Sequence, residues 1–397
     1  MAGQILFKPG RDWETTLFLT CLFDLLTLRL SRFWSRTKLR RCFFGAVLIE
    51  GEPLEYVGKP HELLAGFAVS FAILGPLMAA FICWGAPAET DSVLFFLFSN
   101  LTCLAGIAFY GAANFSARRY LVSRLVWRGI AASQDGSAIR YAGLYLKWAI
   151  AFLLTAGCCL PGACADLARY RWQSTCWGNL RGGFTGSEQV LQEHWRRIWR
   201  LHVAPVFALT AWVVIDSGGY LLALQWELEQ AFDEMIRDEA GLILLWVAAL
   251  LWVYYGLARF RIEWLRWMIN GSAIGPIRFY CRLDTGHAGD RLQRGILAME
   301  IVACVAFVLL FLTGGAETGY FGEMSYTGFV WFASAVIFLA WAIGRYLHLR
   351  LILYPLTELI LFATAVINVG AAEVEQRPAG KIRLSSGIGD IGYAQFL

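Results

Sequence analysis

The chain has 397 residues, of which 58% are hydrophobic and only 16% charged, with a net charge of +4. Soluble domains carry about 25% charged residues, so this composition excludes a disordered chain, a nucleic-acid binder and a small disulfide scaffold, and points to a polytopic membrane protein. Seventeen tryptophans suit membrane–water interfaces, where Trp and Tyr collect.

Residues 1–14 are polar and no small-residue cleavage site follows the first apolar run, so no cleavable signal peptide is expected. A bilayer core of ~30 Å needs about 20 mostly apolar residues per helix. Segments 63–85, 92–115, 201–224, 240–257, 295–313 and 328–344 approximate that length and are expected as six firm transmembrane helices. Segments 16–28 and 148–160 are shorter and are expected to be re-entrant or interfacial. Nearly all of the 34 Lys and Arg fall in five blocks, 29–59, 118–147, 169–200, 259–294 and 345–383, whereas the connections 86–91, 225–239 and 314–327 are acidic. The positive-inside rule then places the basic blocks and the C-terminus in the cytoplasm. It also requires 148–160 to enter and leave on one side, because both of its flanks are basic.

Each basic block opens with an Arg, mostly followed by an aromatic, at 41/42, 119/120, 169/170, 259/260 and 345/346. Eight positions after each Arg stands a large apolar residue: Ile49, Trp127, Trp177, Trp267 and Leu353. The spacing reads as an internal repeat, with units 1–143 and 144–294, a shorter third unit 295–376 and a polar tail 377–397. Stretches rich in β-branched and aromatic residues end in the turn signals Glu50-Gly51-Glu52-Pro53, Asp135-Gly136 and Asn270-Gly271, which predict small cytoplasmic β-hairpins. The expected fold is an all-α polytopic membrane protein with these hairpins appended to helix ends.

The run FWSRTKLRRCFFGAVLIEGEPLEYVGKPHELLAGF (33–67) and the later RYRWQSTCWGNLRGGFTGS (169–187) resemble the two signature motifs of the YjgN-like family of bacterial inner-membrane proteins. The second departs from the family pattern at Gln173, Cys176 and Asn179, where more Arg is usual. The resemblance covers most of the chain and implies inner-membrane location and architecture. The family is a domain of unknown function, so it implies no catalytic residues.

Ionisable groups at membrane depth are costly and mark candidate sites. Asp216 heads Asp216-Ser217-Gly218-Gly219 within an apolar segment, Glu300 lies about a turn into another, and Asp24 interrupts the first short one. A Gly-interrupted helix exposes backbone groups that can hold an ion or substrate; the plainer readings are a helix end for Asp216, an interfacial position for Glu300 and pairing with Arg29 for Asp24. A second candidate surface is basic and Trp-rich: Arg169, Arg171, Trp172, Trp177, Arg196, Arg197 and Arg200. It suits anionic lipid headgroups, or serves as topology-setting charge with an aromatic belt.

The five histidines are dispersed, with no metal-ligand pair at i, i+4, and no phosphate-binding, metalloprotease or nucleophile-elbow motif occurs. No cofactor, metal or nucleic-acid partner is expected; the expected partners are the bilayer, anionic lipids, and a second copy or another membrane protein. Two functions compete: a transporter or channel subunit for a small solute or ion, and a non-transporting structural protein binding anionic lipid or a partner. An enzyme is the less favoured class.

Overall fold

The structure, a computed structural model, describes residues 2–85, 92–216, 240–314 and 326–368. Among these residues the strands are β1 (Ala2–Phe7), β2 (Val47–Ile49), β3 (Glu52–Pro53), β4 (Glu55–Tyr56), β5 (Leu125–Trp127), β6 (Ile130–Gln134), β7 (Thr175–Trp177), β8 (Leu180–Phe184), β9 (Ser272–Ile274), β10 (Ile277–Cys281) and β11 (Thr364–Ile367). They join in one sheet of eleven, in the order β3-β2-β1-β11-β10-β9-β8-β7-β6-β5-β4, with every pairing antiparallel. The two outermost strands, β3 and β4, are separated in sequence by Leu54 alone. Leu54 N–H donates to Val47 O and Val57 N–H to Arg124 O, each at 3.0 Å, so one short stretch of chain pairs with both ends of the sheet and closes it into a ring.

Closure answers a physical problem. A two-stranded hairpin is marginal alone, and each open edge invites further pairing; side by side in a ring, the hairpins satisfy one another. Alternation sends apolar side chains to the ring's interior. On β10, Ile277 and Cys281 are buried while Arg278 and Tyr280 face out, and Ile5, Val47, Trp127, Ile277 and Val366 pack together inside. The tight turns at Glu50-Gly51 and Arg128-Gly129 have φ of 52° and 84°, and 51° and 72°, the left-handed pair that a two-residue hairpin turn needs.

The Glu50-Gly51 turn signal thus reads correctly, but the other two do not mark hairpin turns. Asp135-Gly136 leads from β6 into a helix, and Asn270-Gly271 ends a helix before β9. The remaining turns fall at Gly178-Asn179 and Gly275-Pro276, between Trp177 and Leu180 and between Ile274 and Ile277.

Between neighbouring strands not joined by a tight turn, the chain leaves the sheet as helices and returns. Helices α1 (Trp13–Leu26) and α2 (Arg32–Gly45) separate β1 from β2; α3 (Pro60–Gly85) and α4 (Ser92–Ser123) separate β4 from β5; α5 (Ala138–Leu154) and α6 (Leu160–Gln173) separate β6 from β7. Helix α7 (Glu188–Ile198), a π-helical turn (Trp199–Val203), α8 (Ala204–Asp216) and α9 (Ala240–Gly271) lie between β8 and β9. The last excursion, between β10 and β11, holds α10 (Thr285–Gly314), α11 (Tyr326–Leu347), a second π-helical turn (His348–Leu353) and α12 (Tyr354–Phe362).

The expectation of an all-α protein with six firm transmembrane helices is overturned. The strands form a single closed sheet rather than separate hairpins, and among the described residues one helical run, Trp331–Phe362, is long and apolar enough to cross a membrane by length and composition. Apolar length in a sequence does not distinguish a lipid-facing stripe from one spent on packing: Ala258, Ile262, Ile296 and Ile352, from three of the expected spans and their flanks, are buried against each other.

The runs 16–28 and 148–160 fall on two short helical hairpins. The chain reverses through left-handed Leu28 and Arg29 in the first, and through Ala156 and Gly157 in the second. Their tips carry unpartnered apolar side chains: Leu26, Leu28 and Leu30 in one and Leu153 and Leu154 in the other are at least 72% exposed.

Candidate functional site

The pairing of β1 with β11 sets the first helical excursion beside the last. Between them lies a groove of about 440 Å³. Arg29 and Arg36 come from the α1–α2 hairpin, Arg345 and His348 from α11 and the π-helical turn that continues it, and the apolar wall from Met299, Val302 and Ala303 of α10 with Ala340 and Trp341 of α11. No acidic residue is among those lining it.

The groove's floor is organised by Asp24. This carboxylate is 1% exposed; Ser31 donates to its Oδ1 at 2.9 Å and Arg345 Nη1 lies 2.8 Å from its Oδ2. The Arg29 guanidinium rests over the Trp341 ring at 3.9 Å, and Arg345 lies 5.7 Å from the same ring, so one indole faces two cations. Arg29 has a φ of 69°, a conformation costing an L-residue roughly 1–2 kcal/mol. Its amide donates to Asp24 O at 2.7 Å, which ties this strained residue to the carboxylate's own backbone. Three guanidiniums and an imidazole therefore line a cleft with no carboxylate in its lining, and Asp24 is sealed behind it. That arrangement suits an anion.

The sequence-derived candidates separate on this structure. Asp24 is in the site, but its partner is Arg345 rather than Arg29. Glu300 is half-buried on α10 and does not line the groove. Asp216 is the last residue of α8, while Ser217 and Gly218 lie outside the described residues.

The basic, Trp-rich set is dispersed. Arg169 makes a surface pair with Asp166 at 2.9 Å. Arg171 Nε donates to the Tyr141 hydroxyl at 2.7 Å and its Nη2 to Asn114 at 3.3 Å. Trp172 packs against the cluster around Trp195, and Trp177 stands inside the ring 5.0 Å from Trp127. Arg196, Arg197 and Arg200 remain exposed on α7 and its π-helical continuation. The tryptophans next to them are structural: Trp195 Nε1 donates to Gly157 O at 3.0 Å and Trp199 Nε1 to Ala156 O at 2.8 Å, clamping the α5–α6 turn.

Arg36, Arg345, His348 and Trp341 were not singled out as a site from sequence. Their signals were present, since Arg345 opens the fifth repeat run, but nothing local ties that run to residues 24–36. Among the described residues, no group of three or more His, Cys, Asp or Glu side chains is placed to hold a metal ion.

The sequence profile of a bacterial protein family of unknown function, DUF898, matches residues 10–288, and the chain belongs to that family. This agrees with the resemblance carried by residues 33–67 and 169–187. The matched region includes Arg29 and Arg36, while Arg345 and His348 lie beyond it. No curated protein and no solved structure matches the chain.

Proposed function

We propose that this bacterial protein is a multi-pass protein of the inner membrane, with its strand ring on the cytoplasmic side, and that the arginine groove holds the phosphate headgroup of an acidic phospholipid. One observation carries the reading: the groove lies where both of its walls change from polar to apolar. Helix α10 is polar over residues 285–294 and almost wholly apolar from Gly295. Met299 stands fourteen residues from the helix start, ~21 Å along it at 1.5 Å per residue. On the facing wall, apolar α11 gives way at Arg345, His348 and Arg350. Headgroups sit at such a boundary, with acyl chains against the apolar side. Ile301, Val305, Ile337 and Ile343, all more than 40% exposed, offer that apolar surface. The exposed leucines at the two short hairpin tips support immersion of the same face.

Each Arg near an anionic surface contributes about 1 kcal/mol. Replacing Arg29 and Arg36 together by Gln should therefore weaken retention of phosphatidylglycerol or cardiolipin roughly 30-fold, while phosphatidylcholine retention stays unchanged. Native mass spectrometry of protein released from nanodiscs of each composition measures this, and equal retention by wild type and variant refutes the lipid reading. Sidedness is tested separately with Gly183→Cys in a cysteine-free background, since a side chain there meets open space. Labelling by an impermeant thiol reagent should require permeabilised cells; labelling of intact cells would place the ring outside. The other expected function, a transporter or channel subunit for a small solute or ion, is less favoured here because Asp24, the one sequence-derived candidate beside the groove, is engaged by Arg345.

A further inference from the structure

The two short helical hairpins reverse through the same turn. In each, a threonine hydroxyl donates four residues back, Thr27 to Phe23 O at 2.7 Å and Thr155 to Ala151 O at 2.8 Å. The two residues that follow are left-handed in both. The amide of the second then donates five residues back, Arg29 to Asp24 O at 2.7 Å and Gly157 to Phe152 O at 2.8 Å. The α5–α6 turn is therefore an internal standard for the α1–α2 turn.

Two differences separate them. At the second left-handed position the α5–α6 turn has Gly157, which adopts its φ of 82° at no steric cost, but the α1–α2 turn has Arg29. A residue held in a strained conformation where glycine would fit points to a use for its side chain. The fastening of the tips also differs. Trp195 and Trp199 pin the α5–α6 tip by the carbonyls of Gly157 and Ala156. The α1–α2 tip is held to α11 through charged groups, by Asp24 with Arg345 and by Arg29 stacked on Trp341. Among the described residues Arg29 has no carboxylate partner, because Asp24 is engaged by Arg345. The base of the hairpin is anchored separately, by Leu17, Cys21 and Leu39 against Leu349. Arg29 and Arg36 line the groove from the hairpin, and Arg345 and His348 from the opposite wall, so the two halves make one site only while the tip is seated.

We propose that a phosphate group bound in the groove fastens the α1–α2 tip. Arg29 stands at a glycine position to hold the anion against Arg345 and His348, and the bound anion locks this tip onto α11 as the two indoles lock the other. The inference rests on the groove being an anion site, but not on the anion being a lipid. An anion that bridges the two halves binds only the seated tip, so its binding free energy adds to the stability of the tip. At a hundred times its dissociation constant such a ligand slows opening about a hundredfold.

Hydrogen exchange of residues 20–32 and 152–160 tests this on the full chain in three settings: nanodiscs of phosphatidylcholine alone, the same with phosphatidylglycerol, and phosphatidylcholine nanodiscs with soluble glycerol 3-phosphate. Phosphatidylglycerol should slow exchange of 20–32 by up to about a hundredfold and leave 152–160 unchanged. Arg29→Gln should reduce that protection at least about fivefold, one arginine's share at an anionic surface. Protection of 20–32 by glycerol 3-phosphate but not by phosphatidylglycerol upholds the fastening and removes the lipid reading. Protection by neither anion overturns the proposal. So does equal slowing of both hairpins, which an anionic surface alone would produce, or full protection in Arg29→Gln. Should Arg29→Gln disturb the hairpin, the wild-type contrast between 20–32 and 152–160 still decides.

Discussion

Breaking the pair between Asp24 and Arg345 tests the architecture of the groove, because its two halves are unequally buried. The Asp24 side chain is 2% exposed and the Arg345 side chain 16%. Arg345→Met leaves a carboxylate with only the Ser31 hydroxyl, in a place water does not reach. Removing one partner of a buried pair costs about 3–5 kcal/mol, mostly from the charge left behind. Asp24→Asn leaves a guanidinium that still faces the groove and Trp341, so its cost should be nearer about 1.5–3 kcal/mol, the worth of a charged hydrogen bond. The double variant leaves no orphaned charge and should cost less than the sum of the singles by about 1–3 kcal/mol.

Hydrogen exchange read on the amides of residues 20–32 reports the opening of this hairpin rather than the unfolding of the whole chain. Arg345→Met should speed exchange there about a hundredfold to a few thousandfold, Asp24→Asn distinctly less, and the double variant less than the product of the two. Effects that multiply without coupling, or an Asp24→Asn variant that opens faster than Arg345→Met, would refute the account of a carboxylate held in place by a partly exposed cation.

Trp195→Phe keeps most of the packing but leaves Gly157 O without its donor, so the α5–α6 turn should lose about 1–3 kcal/mol; faster exchange confined to residues 152–160 is the expected readout, and no local change would dismiss the clamp. A Cβ at Gly182 would meet the backbone carbonyl oxygens of Trp172 and Thr175, whereas one at Gly183 meets nothing within 4 Å. Gly182→Ala should therefore destabilise by about 1–3 kcal/mol or more while Gly183→Ala does not, as read by thermal unfolding; equal melting temperatures would be the adverse result. Burial pushes the Cys164 thiol up to about 12, only partly offset by Arg171, and the thiolate is the reactive form. In a single-cysteine variant at pH 8, maleimide should modify Cys164 at least roughly 1,000-fold more slowly in the folded than in the unfolded protein, and comparable rates would contradict the burial.

Much of the local structure could be read from residue spacing. Arg41, Arg119 and Arg169 each stand eight positions before the last residue of a hairpin's first strand, Ile49, Trp127 and Trp177. In the fourth copy the strand ends at Ile274, eight after Arg266, so the equivalent Arg-aromatic pair is Arg266-Trp267 rather than Arg259-Phe260. The reason is that α9 runs two turns further before yielding to β9, and an aromatic-rich helix and an aromatic-rich strand look alike over so short a window. Membrane-depth acids were a weaker guide. Asp24 has a role in the site, but through a partner more than 300 residues away that no local pattern could indicate.

The site was hidden for the same reason that the sheet was. Each hairpin signal is local, but the ring exists only because Leu54 carries the chain from one sheet edge to the other and because β1 pairs with β11. Register at that second seam is set by Ala2 opposite Ile367 and Gln4 opposite Ala365, and it decides which helical excursions become neighbours. The α1–α2 hairpin is too short to accompany α10 along its full length: fourteen residues span ~21 Å against ~45 Å for thirty. Its tip therefore ends part-way along the longer helix. There Arg29 is brought to Trp341, and Arg345 to Asp24. The cationic groove is thus a consequence of unequal hairpin lengths meeting at the β1–β11 seam, where the buried carboxylate of Asp24 holds Arg345 in place.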